Sequence, residues 1–272
     1  MASTRPIHHL DCGTMCPHAA PALGLVDRAA GHLVAHCLLI EGADGLVLID
    51  TGYGTGDIAD PRRLGPARLL LNARLDPAQT AVAQVRALGH DPADVRHVLV
   101  THLDLDHAGG LGDFPNAEVH LHAPELTAAR ARKADTKLRY RPRQWEHGPR
   151  WAPHAVEGEA WFGFEGVRLL PDVGVELVMI PLAGHTLGHT GYAVNSGDGW
   201  LLHCGDAYLR AGEIALPPVV GPGLKVYHRL NSAKEGLRRE NVARLAELAR
   251  DHAAEVTVFC SHDPTELAAA TA

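Results

Sequence analysis

Short apolar runs, each bounded by Gly, Asp or Pro, recur along the chain and alternate with stretches of helical period. Residues 34–40 (VAHCLLI) and 45–50 (GLVLID) are strand-length and almost continuously apolar, joined by the turn Glu41-Gly42-Ala43-Asp44. The second runs into Asp50-Thr51-Gly52-Tyr53-Gly54, a glycine-rich loop. A helix is predicted at about 77–88, closed by Gly89, and a strand over 97–101 leads straight into a polar cluster. Another strand is predicted at 117–122, after which Pro124 opens a helix to about 132. Strand patterns return near 167–170, 175–181, 190–195 and 200–204. A helix over roughly 232–252 sets Leu237, Val242, Leu245 and Leu248 on one stripe, and the strand 256–260 and a short helix close the chain.

Strands and helices thus recur in two halves. Hairpin-length connections argue against a doubly wound parallel sheet. The pattern predicts an α/β (α+β) chain of one domain, 1–272, with two face-to-face mixed β-sheets and helices outside. Between the halves lies a segment of a different kind. Residues 130–151 hold Arg130, Arg132, Lys133, Lys137, Arg139, Arg141, Arg143 and Arg150 against only Asp135 and Glu146, with Tyr140, Trp145 and Trp151 interleaved. It reads as a lid-like excursion at about 130–160, in which Arg143 and Trp145 are candidates for substrate contact. A solvated charged face or a homodimer contact is the plainer reading of the same residues.

Composition narrows the class. In 272 residues, 46% hydrophobic and 21% charged side chains match an ordinary globular protein and exclude a disordered chain, collagen, a coiled coil or a disulfide miniprotein. A net charge of −7 argues against broad nucleic-acid or membrane-surface binding and leaves a small molecule as the expected partner. The opening MASTRPIHHLDCG lacks the apolar core of a signal peptide, and no apolar run is long enough to span a membrane. The five cysteines (Cys12, Cys16, Cys37, Cys204, Cys260) are scattered without a C-x-x-C, as expected of reduced, mostly buried thiols in a cytoplasmic protein. Only the 19 histidines stand out, at about three times ordinary usage. Histidine is the commonest transition-metal ligand, so their number raises a metal hypothesis without placing it.

The placement comes from Thr101-His102-Leu103-Asp104-Leu105-Asp106-His107-Ala108-Gly109-Gly110. Four potential ligands fall within six residues, directly after a strand. In an extended chain His102 and Asp104 share one side, and a turn at Asp106-His107 aims the next two elsewhere, so one loop can serve two ions. Gly109 and Gly110 let the backbone bend tightly into the next element. A polar loop with Asp106 capping a helix would explain one such residue but not four. Further His and Asp residues close apolar runs: His185 and His189 in 178–191, Asp206 after 201–204, His262 after 256–260.

The run His102-x-Asp104-x-Asp106-His107, then Gly-His185-Thr, Gly-Asp206 and Ser-His262-Asp, with Asp50 closing Leu-Ile-Asp-Thr-Gly, resembles the metallo-β-lactamase superfamily of metallohydrolases over about residues 34–263. The resemblance implies an αβ/βα four-layer sandwich with a dinuclear site at one edge of the sheets. One metal would be held by His102, Asp104 and His185, the other by Asp106, His107 and His262, with Asp206 bridging. His189 and Asp50 would stand behind, Asp50 orienting a ligand histidine. The family usually has His where this chain has Asp104. Two divalent ions, a bridging hydroxide and three carboxylates then sum to zero charge, and the harder ligand moves preference from zinc toward iron or manganese. Asp is also shorter than His, so a site with one firm and one loose metal is the alternative. Zinc remains the first expectation.

By the same resemblance, a bridging hydroxide attacks an electrophilic carbonyl or phosphorus, and Asp106 or Asp206 takes up a proton. No serine lies in a G-x-S-x-G context. The His107-Ala108-Gly109-Gly110 and Gly-His185-Thr-Leu-Gly-His189 runs look most like the N-acyl homoserine lactone lactonases, which place a tyrosine soon after the bridging Asp; Tyr208 is the candidate here. Lactone ring opening is the leading expectation. Phosphodiester or organophosphate hydrolysis, an iron-dependent redox reaction and a non-enzymatic binding module are its rivals.

Overall fold

The computed structural model describes residues 5–17, 32–131, 139–156 and 158–272. Within the basic segment, Arg132, Lys133, Asp135 and Lys137 lie outside the described residues, as does the start of the N-terminal stretch, 1–4. Twelve strands form two six-stranded sheets in the described residues. The first contains β1 (Ile7–Met15), β2 (Leu33–Glu41), β3 (Leu46–Ile49), β4 (Val95–Leu99), β5 (Glu118–His122) and β6 (Arg150–His154), in that order. The second runs β12 (Val256–Phe259), β11 (Trp200–His203), β10 (Thr190–Asn195), β9 (Leu177–Pro181), β8 (Phe164–Leu169) and β7 (Glu159–Trp161).

The continuous apolar runs have a simple cause: both faces of the central strands are covered. Leu38 and Ile40 of β2, with Val47, Ile49 and Leu99, meet Leu177, Met179, Tyr192 and Val194 between the sheets. The alternate residues Cys37 and Leu39 face outward, against Val82 and Val85 of the helix Ala81–Ala87 and Leu126 and Ala129 of the helix Ala123–Ala131. On the far side Val178, Ile180 and Leu202 pack against Leu245 and Leu248 of the helix Glu235–Asp251. The seven described α-helices are α1 (Thr55–Ala59), α2 (Ala67–Leu71), α3 (Ala81–Ala87), α4 (Ala123–Ala131), α5 (Pro222–Asn231), α6 (Glu235–Asp251) and α7 (Pro264–Ala270). The layers are therefore helix, sheet, sheet, helix, as expected.

Several expectations are corrected in detail. The strand β1 pairs antiparallel with β2 through seven register partners, yet its alternation is blurred by histidines and the sequence pattern passes over it. The helix expected at about 77–88 is a 3-10 turn over Pro77–Gln79 followed by α3, because the Thr80 hydroxyl caps the N–H of Ala83. The helix expected over 232–252 starts at Glu235 and is preceded by a separate α5. None of the five cysteines is paired, and four of them are buried. No helix among the described residues is long and apolar enough to cross a membrane.

Candidate metal centre

Strand direction gathers the polar side chains. β3 and β4 run parallel, as do β11 and β12, so their C-terminal ends lie together at one end of the sandwich. Asp50 follows β3, residues 101–107 follow β4, Asp206 follows β11 and His262 follows β12, while His185 and His189 sit in the loop from β9 to β10. Backbone bonds tie the two sheets at this end: Thr190 N–H donates to Thr101 O (3.0 Å), His36 N–H to Ser261 O (2.9 Å) and Val34 N–H to His262 O (3.4 Å). Gly109 is required by contact and not by conformation, since its φ is not positive; a Cβ there would lie 2.5 Å from Asp57 Oδ2 and from Gly52 O. At Gly205 both reasons hold: φ is +53° and a Cβ would lie 2.6 Å from His189 Nε2.

Two trios of donor atoms result, His102–Asp104–His185 and Asp106–His107–His262, each within 4.8 Å of one another. The Asp206 carboxylate lies between them. Its Oδ1 is 3.0 Å from His262 Nε2 and 3.2 Å from His107 Nε2; its Oδ2 is 3.4 Å from His185 Nε2 and 3.9 Å from His102 Nε2. These separations are those of groups arranged around a common ion and not of ordinary hydrogen bonds throughout. The imidazoles are aimed from behind. Asp50 accepts from Thr101 N–H, Thr101 Oγ1 and His107 Nδ1, each at 2.8 Å. With its hydroxyl proton thus committed, Thr101 Oγ1 accepts from His102 Nδ1 at 2.9 Å. His262 Nδ1 donates to Val34 O at 2.7 Å. In each case Nδ1 is used and Nε2 is presented to the cluster. His189 faces the other way: Nδ1 donates to Leu182 O (3.0 Å) and Nε2 accepts the N–H of Asp206 (2.9 Å), so it positions Asp206.

The cluster's electrostatics favour a cation. Burial opposes ionisation of Asp206, but His262, His107 and His185 hold its carboxyl well below the usual range. Burial likewise opposes a charged His107, yet Asp206 and Asp50 hold its imidazole well above the ordinary value. The Nε2 atoms of His102 and His107 and one oxygen each of Asp104 and Asp206 are buried with no hydrogen-bond partner. Unpartnered buried donors and acceptors of this kind are costly unless an ion takes them up, so the residues fit a divalent metal.

The structure also adds residues that local patterns do not reveal. Glu125, in the first turn of α4 and fully buried, accepts from Leu103 N–H (3.0 Å), Thr186 Oγ1 (2.6 Å) and Gly188 N–H (3.1 Å), clamping the loops that carry His102 and His185. Arg139, one of many basic residues in its segment, donates from Nη1 to Asp104 Oδ2 (2.6 Å) and His185 Nε2 (2.9 Å). Burial and this guanidinium pull His185 down to about 4, as befits a neutral acceptor.

Three expected residues lie elsewhere. Tyr208 is fully buried in the outer core of the second sheet, its hydroxyl donating to Glu266 (3.0 Å), because the chain turns at Gly205 and sends this side chain under α7. Tyr227 of α5 feels the cluster, its phenol pushed up by burial and by the charges of Asp206 and Asp106, and Tyr53 is raised likewise by burial and by Asp106. Arg143 pairs with Asp60 (3.0 Å), and Trp145 packs edge-on against Trp151 and the first core, so both fasten the segment to the body.

The four-layer αββα sandwich thus carries, at the ends of its strands, a His/Asp donor cluster suited to a metal ion. The chain belongs to the metallo-beta-lactamase superfamily, whose family model matches residues 30–249. It is 41% identical over 259 residues to a Mycobacterium tuberculosis protein named a probable metallo-hydrolase, covering 95% of this chain and 80% of that one. Over 80 residues it is 45% identical to the N-acyl homoserine lactonase AttM of Rhizobium johnstonii, 29% of this chain and 30% of the other. Its fold is similar to that of a B. thuringiensis AiiA variant with N-decanoyl-L-homoserine bound at the active site, with a TM-score of 0.71, 20% identity and coverage of 99% and 97%.

Proposed function

We propose that this chain hydrolyses an ester-like bond in a small molecule, a lactone in first place, using metal held by the His/Asp cluster. The observation that carries the reading is the convergence of His102, His107, His185 and His262 on one shared carboxylate, Asp206, with Asp104 and Asp106 beside them and the Nε2 atoms of His102 and His107 buried without a hydrogen-bond partner. Local identity to a lactonase and the shared fold support the lactone. A divalent ion there, zinc first and iron or manganese next because of Asp104, supplies Lewis acidity and lowers the pKa of water.

The chain's own residues do the rest. Asp50 keeps His107 in the tautomer that leaves Nε2 free. His189 holds the backbone of Asp206. Water adds to the acyl carbon, the ring C–O bond breaks, and the leaving oxygen takes a proton; Asp106 or Asp206 accepts the proton that water gives up. We assign to Tyr227 the role first expected of Tyr208, because the charges of Asp206 and Asp106 act on its phenol. The test is ring opening of N-acyl homoserine lactones by the purified protein, beside paraoxon and bis-p-nitrophenyl phosphate. We expect lactone turnover that is abolished by chelator, restored by zinc, and lowered by at least about a thousandfold in His107→Ala. Faster turnover of either phosphoester would replace the lactone reading, and activity indifferent to chelator would end the metal reading.

A further inference from the structure

The Arg139 guanidinium stands inside the first donor trio. Nη1 lies 2.6 Å from Asp104 Oδ2 and 2.9 Å from His185 Nε2, and Nη2 donates to the carbonyl of Asn231 at the end of α5. Arg139 and Asp104 are each only 17% exposed in their side chains. Nη1 therefore sits against two of the three donor groups of that trio, on one oxygen of Asp104 and on His185 Nε2, which itself lies 3.0 Å from the same oxygen, and leaves His102 Nε2 and the other Asp104 oxygen without a partner. A guanidinium has no lone pair to offer and remains charged at any working pH, so it competes with an ion there and cannot assist one. The second trio differs: no arginine or lysine reaches Asp106, His107 or His262 among the ion pairs of the described residues, and its open donor atoms are turned toward Asp206.

Charge balance agrees. Three carboxylates, Asp104, Asp106 and Asp206, face the cluster. One divalent ion and one guanidinium neutralise them as completely as two ions and a hydroxide do. Position 104 is what makes this work: a neutral imidazole there would give the guanidinium no countercharge, whereas a carboxylate does.

We propose that Arg139 is the resident cation of the His102–Asp104–His185 subsite. The chain holds one divalent ion firmly at Asp106–His107–His262–Asp206, and a second enters only by displacing Arg139 from Asp104. The inference rests on the metal reading above but not on the lactone.

Equilibrium dialysis of the full chain against graded free zinc, with metal counted by mass spectrometry, tests it without reference to activity. We expect wild type to retain one zinc, with a second binding at least about tenfold more weakly. Arg139→Met and Asp104→His should each bring the second zinc to within about threefold of the first, and adding His102→Ala to Arg139→Met should remove it again. Two zinc ions of equal affinity in wild type would overturn the proposal and leave the hydrolase intact. So would an unchanged second affinity in both Arg139→Met and Asp104→His. Failure of folded wild type to bind any zinc would overturn both.

Discussion

Asp50 sits at a backbone φ of +57°, in the left-handed region that few side chains other than Asn and Asp tolerate. That turn points its carboxylate back under the 101–107 loop, where it takes three hydrogen bonds. Burial opposes its ionisation, but the His107 contact keeps its carboxyl low. Asp50→Asn cannot accept all three bonds, and it leaves His107 free to turn its ring. We expect zinc affinity to fall by about 10–100-fold, measured by competition with a chromogenic chelator, while the fold remains. The two tyrosines separate by the same logic. Tyr208→Phe breaks a buried bond to Glu266 and should lower unfolding free energy by about 1 kcal/mol with kcat within about twofold of wild type. Tyr227→Phe should do the reverse, lowering kcat by about tenfold or more at unchanged melting temperature.

The break between α5 and α6 shows why an apolar stripe does not set a helix boundary. At the break, the N–H groups of Ala233 and Lys234 donate to His185 O (3.0 Å) and Gly184 O (2.9 Å). Those bonds hold the loop that carries His185, and a continuous helix would have consumed them internally. Glu125 is the matching device on α4. Glu125→Ala would orphan three buried donors, and we expect a loss of about 2–4 kcal/mol in urea unfolding together with weaker metal binding at His185. Helix α7 offers a pH test. Burial pushes its Glu266 carboxyl up to about 7 from 4.5, so the folded chain keeps a proton that the unfolded chain has lost. That raised value makes this residue's contribution to stability fall as pH rises from about 4.5 through 7. Glu266→Gln keeps an acceptor for Cys260 N–H and should therefore gain stability relative to wild type between pH 5 and pH 8, as read from parallel thermal melts.

In the whole molecule, the donor cluster joins the two sheets: Asp50 and residues 101–107 come from one, His185, Asp206 and His262 from the other. An ion bound there acts as a cross-link of the sandwich. Stripping it with chelator leaves Asp104, Asp106 and Asp206 facing one another with Arg139 as the nearby balancing cation. We expect the melting temperature to drop by roughly 5–10 °C and to recover on adding zinc, in a calorimetric scan at fixed protein concentration.

Much of this was legible along the chain. Strand-length apolar runs ending in His or Asp point to two sheets whose strand ends can bring polar side chains together, and the resemblance to the metallo-β-lactamase superfamily implies the cluster at their edge. His102, Asp104, Asp106, His107, His185, Asp206, His262, Asp50 and His189 are all brought there, since each directly follows a strand or lies in a short loop between two strands. That Tyr208 turns away from the cluster was not legible. Nor was the arginine that enters it, the glutamate that clamps two loops, or the true break before residue 235. Each of those depends on where a segment distant in sequence comes to rest. Local periodicity records burial and says nothing of the partner across the fold. Arg139 looked like seven other basic residues until Asp104 and His185, distant from it along the chain, closed around it.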